Sequence, residues 1–209
     1  MTASIAQPES IGGGGSDFGE TIESPFGVSW GKLMMWLFIV SDALTFAAFL
    51  ATYGFLRMIA PAWPDQTEVF DMRLITFMTF VLISSSAVMA MAVAAAKAGD
   101  AVAATRFVGL TVIGGLIFLG CQAFEWTHLI QEGATPWSNP WGPVGFGAAF
   151  FLITGFHGVH VLSGVVVLAV TAMKASWGRY SGDGVEIVGL YWHFIDVVWV
   201  FLFAFFYLL

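Results

Sequence analysis

Five long apolar runs constrain the fold of this chain more than any motif does. Each reaches or passes the roughly 20 residues that a helix needs to cross the hydrocarbon core of a bilayer. With 58% hydrophobic and only 10% charged residues, the chain is also too apolar for an ordinary water-soluble domain. The sequence therefore predicts an all-α, polytopic membrane protein, a single bundle of five transmembrane helices. The predicted helices are 30–59, 72–96, 103–129, 143–173 and 186–209.

A polar segment precedes the first helix. Residues 1–29 are acidic and rich in glycine, with four glycines in a row at 12–15. The segment has neither the basic start nor the apolar centre of a secretory signal. We predict a flexible polar tail over residues 1–29 and a five-helix transmembrane domain over residues 30–209.

The basic residues predict the orientation of the bundle. With five helices, Arg57 and Arg73 fall on one side of the membrane and five basic residues fall on the other. Because lysine and arginine favour the cytoplasmic side, the N-terminus is predicted to be cytoplasmic and the C-terminus periplasmic. The five residues on the cytoplasmic side are Lys32, Lys97, Arg106, Lys174 and Arg179.

Several functional classes are disfavoured by composition. The net charge of −7 argues against nucleic acid as a partner, which needs a basic face. The single cysteine, Cys121, supports neither a disulfide framework nor a clustered thiol metal site. No glycine-rich phosphate loop, nucleophile elbow or Cys-x-x-Cys motif is present in the sequence.

Polar side chains inside the predicted helices are the candidate functional residues. An ionisable group at the centre of a spanning helix costs roughly 2.5–3.5 kcal/mol on insertion scales, so such groups usually face the protein interior and find a partner. His193 and Asp196 are three residues apart and share a helix face, as do His157 and His160. The simplest interpretation is an internal polar network across helices. Its predicted members are Gln122, Glu125, His157, His160, His193 and Asp196.

Asp42 is the lone carboxylate of the first helix and is predicted to lie near the membrane midplane. Two interpretations stay open for it. Asp42 is either a neutral, hydrogen-bonded structural acid or part of a proton relay.

The histidines also permit a metal or haem hypothesis, because neutral imidazole is a common metal ligand. His157 and His160 on one helix and His193 on another could face a common ion. A membrane cytochrome with two haems, however, needs widely spaced histidine pairs on facing helices, and these three lack that spacing. We therefore predict no metal-binding or cofactor-binding residues in this chain.

Four motifs stand out in the predicted helices. They are Ser41-Asp42-x-x-x-Phe46, Gln122-x-x-Glu125-Trp126, Thr154-Gly155-Phe156-His157-Gly158-Val159-His160-Val161 and Tyr191-Trp192-His193-Phe194-Ile195-Asp196-Val197-Val198-Trp199-Val200-Phe201. Together they resemble subunit III of haem-copper terminal oxidases. The resemblance covers all five helices in the order of the family, and it is closest to the five-helix bacterial form.

The resemblance implies a non-redox subunit of a proton-translocating oxygen oxidoreductase that uses cytochrome c or quinol. Such a subunit has no catalytic residue of its own, packs on oxidase subunit I among other oxidase subunits and membrane lipids, and supports proton uptake and stability while oxygen is reduced to water. Haem and copper are then expected in partner subunits, a bound phospholipid is compatible with this chain, and the location is the bacterial cytoplasmic membrane.

Asp42 corresponds to the carbodiimide-reactive glutamate of the mitochondrial type, shortened by one methylene group, so it is the candidate acid nearest a lipid or subunit surface. Three alternatives also stay open: an accessory subunit of a nitric oxide reductase, a haem-binding membrane protein, and a transporter.

Overall fold

The computed structural model describes residues 27–177 and 181–208, apart from the side chain of residue 176. Five helices in this part of the chain are long and apolar enough to cross a membrane, which confirms the predicted all-α membrane bundle. Residues 1–26 of the predicted tail and Arg179 lie outside the described residues. The helices are α1 Trp30–Ile59, α2 Gln66–Val69, α3 Met72–Lys97, α4 Ala101–Gln131, α5 Val144–Ser176 and α6 Gly182–Phe203, followed by a π-helical turn at Ala204–Leu208.

Side-chain caps define where the helices begin. The side chain of Asp71 accepts hydrogen bonds from two backbone N–H groups at the start of α3, and that of Asp100 accepts one at the start of α4. Gly99 joins these two helices with a φ of 78°, a conformation that glycine adopts without strain. The short helix α2, capped by Asp65, was not predicted, because four residues are too few to show a helical period.

The five spanning helices alternate in direction, so the bundle has two ends. We call the end that holds Lys32, Lys97 and Lys174 the lysine end, and the end that holds residues 60–71 and 132–143 the proline end. Helices α3, α4, α5 and α6 pack around one another, and α1 lies against α5 and α6. Helix α6 contacts α1, α3 and α5 and is the central element of the bundle.

Small residues allow the central helices to approach closely, as is typical of membrane bundles. A Cβ atom added to Gly115 of α4 would lie 2.6 Å from both Trp192 of α6 and Val165 of α5. A Cβ atom on Gly189 of α6 would lie 2.8 Å from Val93 of α3. Gly115 therefore allows α4 to lie close to α5 and α6, and Gly189 allows α6 to lie close to α3.

A three-residue ion cluster connects three helices at the lysine end. The Glu186 carboxylate of α6 lies 2.6 Å from the ammonium group of Lys32 in α1 and 3.1 Å from that of Lys97 in α3. One carboxylate thus bridges two cations from different helices and fixes α1 against α3 and α6 at this end.

Candidate functional site

Asp42 and His160 form a carboxyl–imidazole pair between α1 and α5. The Asp42 Oδ2 atom lies 3.3 Å from His160 Nε2, and His160 Nδ1 donates a hydrogen bond of 2.8 Å to the Phe156 carbonyl. Because a carbonyl only accepts, Nδ1 carries a hydrogen. The other ring nitrogen, Nε2, therefore faces the Asp42 carboxyl group.

Aromatic rings enclose this pair. The ring centroids of Phe46 and Phe156 lie 5.5 Å and 4.6 Å from that of the His160 imidazole. The side chains of Asp42 and His160 are only 10% and 13% exposed. The sequence placed His160 in an internal network and Asp42 apart from it, whereas the structure brings these two residues together.

His157, one turn before His160, makes a different contact. Its side chain is fully buried, and Nε2 donates a hydrogen bond of 3.2 Å to the backbone carbonyl of Ile195 in α6. The rings of Phe118 and Trp199 lie 5.7 Å and 5.2 Å from the imidazole. His157 therefore connects α5 to α6 inside an aromatic cage.

His193 and Asp196 meet through a serine of α3. The Ser86 hydroxyl is hydrogen-bonded to His193 Nδ1 at 2.6 Å, and it also interacts with the Asp196 carboxyl. The structure shows that Ser86 supplies the polar partner of the α6 pair.

Gln122 connects α4 to α5. Its amide nitrogen donates a hydrogen bond of 2.7 Å to the backbone carbonyl of Thr154, and the Trp126 indole N–H donates to the Thr154 hydroxyl at 3.3 Å. Gly158 leaves room for this amide, because a Cβ atom there would lie 3.0 Å from Gln122 Oε1. The glutamine and tryptophan of the α4 motif thus hold the glycine-containing segment of α5.

Glu125, the third polar residue of that motif, points elsewhere. The Tyr207 hydroxyl, from the π-helical turn that follows α6, donates a hydrogen bond of 3.3 Å to Glu125 Oε2. Both residues are buried at the proline end of the bundle. π-helical turns are often found at functional positions, and this one places Tyr207 against Glu125.

The buried polar residues therefore form separate contacts at different depths of the bundle. Three partners that the sequence analysis missed are Ser86, Thr154 and Tyr207. Hydroxyl groups in apolar helices are the available signal, because such groups tend to hydrogen-bond across helices in lipid. Within residues 27–177 and 181–208, no group of three or more histidine, cysteine, aspartate or glutamate residues is arranged to hold a metal ion.

The fold and these contacts define an integral membrane protein whose buried polar groups mostly connect one helix to another. Comparison with known families identifies it more closely. The sequence profile of the family described as cytochrome c oxidase subunit III matches residues 20–209. The chain belongs to the cytochrome c oxidase subunit III family.

Individual relatives agree with this assignment. The chain is 38% identical to the cytochrome c oxidase subunit 3 of a Synechocystis species, over 83% of this chain and 73% of the relative. It is 31% identical to the probable cytochrome c oxidase subunit 3 of Nocardia farcinica, over 98% and 97% of the two chains. A probable quinol oxidase subunit 3 from Staphylococcus haemolyticus is also 31% identical, over 83% and 86%.

Proposed function

We propose that this chain is the accessory subunit III of a proton-pumping haem-copper respiratory oxidase. In this role it packs on subunit I and supports proton uptake and stability while the complex reduces oxygen to water. The observation that carries the proposal is the family match, which extends over residues 20–209 and so includes all five spanning helices. Because the relatives named above are bacterial, the proposed location of the complex is the cytoplasmic membrane of a bacterium.

The internal contacts of the histidines support a role without redox cofactors in this chain. His157 donates to a backbone carbonyl, His160 lies between Asp42 and a carbonyl, and His193 is bonded to Ser86. A histidine that is held in this way orients neighbouring helices and has a protein partner at one ring nitrogen or both. We therefore place haem and copper in the partner subunits.

The outer surface of the bundle supports packing on other subunits and on lipid. Large apolar side chains of α1 such as Leu37, Leu44 and Phe55 are exposed, although they lie on a spanning helix. Because lipid tails are as apolar as these side chains, the same surface accepts acyl chains or the helices of subunit I. A bound phospholipid on this surface is part of the proposal.

The proposed orientation places the lysine end in the cytoplasm. Four basic residues of the described chain lie at this end, whereas Arg57 and Arg73 lie at the proline end. The lysine end is then the side from which the oxidase takes up protons. The four residues are Lys32, Lys97, Arg106 and Lys174.

Purification from native membranes tests the proposal. A tagged chain isolated in mild detergent should carry partner subunits that show haem bands in a reduced-minus-oxidised spectrum and consume oxygen, while the chain expressed alone should show no haem band. Consumption of nitric oxide in place of oxygen would assign the complex to a nitric oxide reductase. A haem band in the isolated chain, or no haem in either sample, would refute the proposal.

A further inference from the structure

A cavity at the proline end lies between the first turns of α3 and the last turns of α4. Its volume is about 170 Å³. Its polar lining comes from Asp71, Glu125 and His128, and its apolar lining includes Leu74 and Phe124. Because a water molecule needs only roughly 10–15 Å³ of such space beside polar groups, the cavity is large enough for several.

Glu125 is the buried polar residue of this lining. It is 6% exposed, and only one of its two carboxyl oxygens has a partner, since Tyr207 donates to Oε2. The other oxygen, Oε1, is buried and has no hydrogen-bond partner among the described residues. Glu125 also takes part in none of the ion pairs among the described residues.

The mouth of the cavity is at the surface of the bundle. His128 lies one turn beyond Glu125 on the same face of α4, and its side chain is 60% exposed. Asp71, at the start of α3, is also exposed. These two exposed side chains therefore line the same cavity as Glu125, which lies a turn deeper on α4.

We propose that Glu125 is a proton-binding site that exchanges its proton with the water at the proline end through this cavity. In the protonated form, the carboxyl group has a donor O–H for a water molecule of the cavity, while Oε2 still accepts the hydrogen bond from Tyr207. In the ionised form, a buried charge would have only the tyrosine hydroxyl as donor, which is costly. A proton is thus the ligand that this arrangement favours.

The other titratable groups near Glu125 are few. Asp71 faces the cavity from α3 and His128 from α4, where His128 lies 3.6 Å from Glu132. Tyr207 faces Glu125 from the π-helical turn, and Cys121 lies one turn deeper on α4. The segment around α2 contributes only the apolar side chains of Val69 and Phe70 to the lining. None of these groups supplies the permanent positive charge that would keep Glu125 ionised.

Infrared spectroscopy of the full chain in its native complex tests the proposal. We expect a carboxyl C=O stretching band that shifts in D₂O, titrates with bulk pH, and is lost in Glu125→Gln. Tyr207→Phe, which removes the hydrogen bond to Oε2, should shift the same band and provides a second test if Glu125→Gln does not fold. Asp42→Asn and Glu132→Gln are controls that should leave the band in place.

A cavity-filling variant tests the route of exchange. Leu74→Trp should slow deuterium exchange of the Glu125 band, because the larger side chain fills the cavity. Leu162→Trp is the matched control, since Leu162 lines a separate groove between α4 and α5. The proposal is overturned if no exchangeable band depends on Glu125, if Leu74→Trp leaves the exchange rate unchanged, or if added Na⁺ removes the band at constant pH, which would indicate a metal cation site.

Discussion

Substitution of Gly115 by alanine provides a sharp test of how closely the central helices pack. The added Cβ atom would lie 2.6 Å from Trp192 and 2.6 Å from Val165. Carbon atoms at van der Waals contact are roughly 3.5–4.0 Å apart, so the neighbours would have to move by about 1 Å. Trp192 has little freedom to do so, because its indole N–H is bonded to Ser85 and its ring lies against Gly164 on α5.

Overpacking of this kind costs about 1–3 kcal/mol in a well-packed interior. We therefore expect Gly115→Ala to lower the free energy of unfolding by that amount, roughly a tenfold change in the unfolding equilibrium for each 1.4 kcal/mol. The assay is reversible unfolding of the purified chain in mixed micelles, followed by circular dichroism. Thermal release of the subunit from its complex is an independent measurement.

Gly120→Ala is the matched control on the same helix. An added Cβ atom at Gly120 has no neighbour within 4 Å, so this change should be neutral or should stabilise α4 by up to about 1 kcal/mol through helix propensity. Equal stabilities of the Gly115→Ala and Gly120→Ala proteins would refute the close packing of α4 against α5 and α6.

Three further predictions concern the polar contacts. Glu186→Gln should lower the free energy of unfolding by about 0.2–1 kcal/mol for each lost ion pair, and added salt should reduce its difference from the native protein. A loss of stability that does not depend on salt would contradict the pairing. Asp42→Asn and His160→Ala should be non-additive in a double-mutant cycle of unfolding free energies, and strict additivity would show that the pair contributes no coupling. Ser86→Ala should cost about 0.6–1.7 kcal/mol, from the mean to the largest value for hydrogen bonds between membrane helices. This loss should be smaller when His193 is already alanine, because only the interaction with Asp196 then remains to be lost.

The spanning helices could be predicted from the sequence because each apolar run alone is long enough to cross a bilayer. The observed bounds of four of them lie within three residues of the predicted ones, as for α4, which is Ala101–Gln131 against the predicted 103–129. The last helix, α6, begins four residues earlier than predicted and ends at Phe203, where the π-helical turn follows. The helix α2 was missed because four residues carry no period. The orientation of the bundle stays a prediction, since it depends on the distribution of lysine and arginine across a membrane.

The partners of the buried polar residues could not be predicted in the same way. Spacing along one helix shows which residues share a face, but it does not show which neighbouring helix that face meets. His157 and His160 are three residues apart, yet His157 contacts α6 and His160 contacts α1. Likewise, His193 and Asp196 share a face, and the residue between them is Ser86 of α3. Such pairings depend on the packing of the whole bundle.

Hydrogen bonds between α6 and α3 explain the two tryptophans of the α6 motif. Trp192 donates to Ser85 and Trp199 donates to Thr79, at 3.2 Å and 3.0 Å. Between the two tryptophans α6 advances by about two turns, and between the two hydroxyl residues α3 moves back by nearly the same length. Matched steps in opposite directions are what an antiparallel pair of helices requires.

This match fixes the relative position of α3 and α6 along the bundle. A shift of one turn would leave both indole N–H groups without acceptors in an apolar interior, where an unpaired polar group costs several kcal/mol. Because α6 also contacts α1 and α5, its position determines where the carbonyl of Ile195 meets His157 and where Tyr207 meets Glu125. The two tryptophans thus fix the position of α6, and with it the contacts of His157 and Glu125.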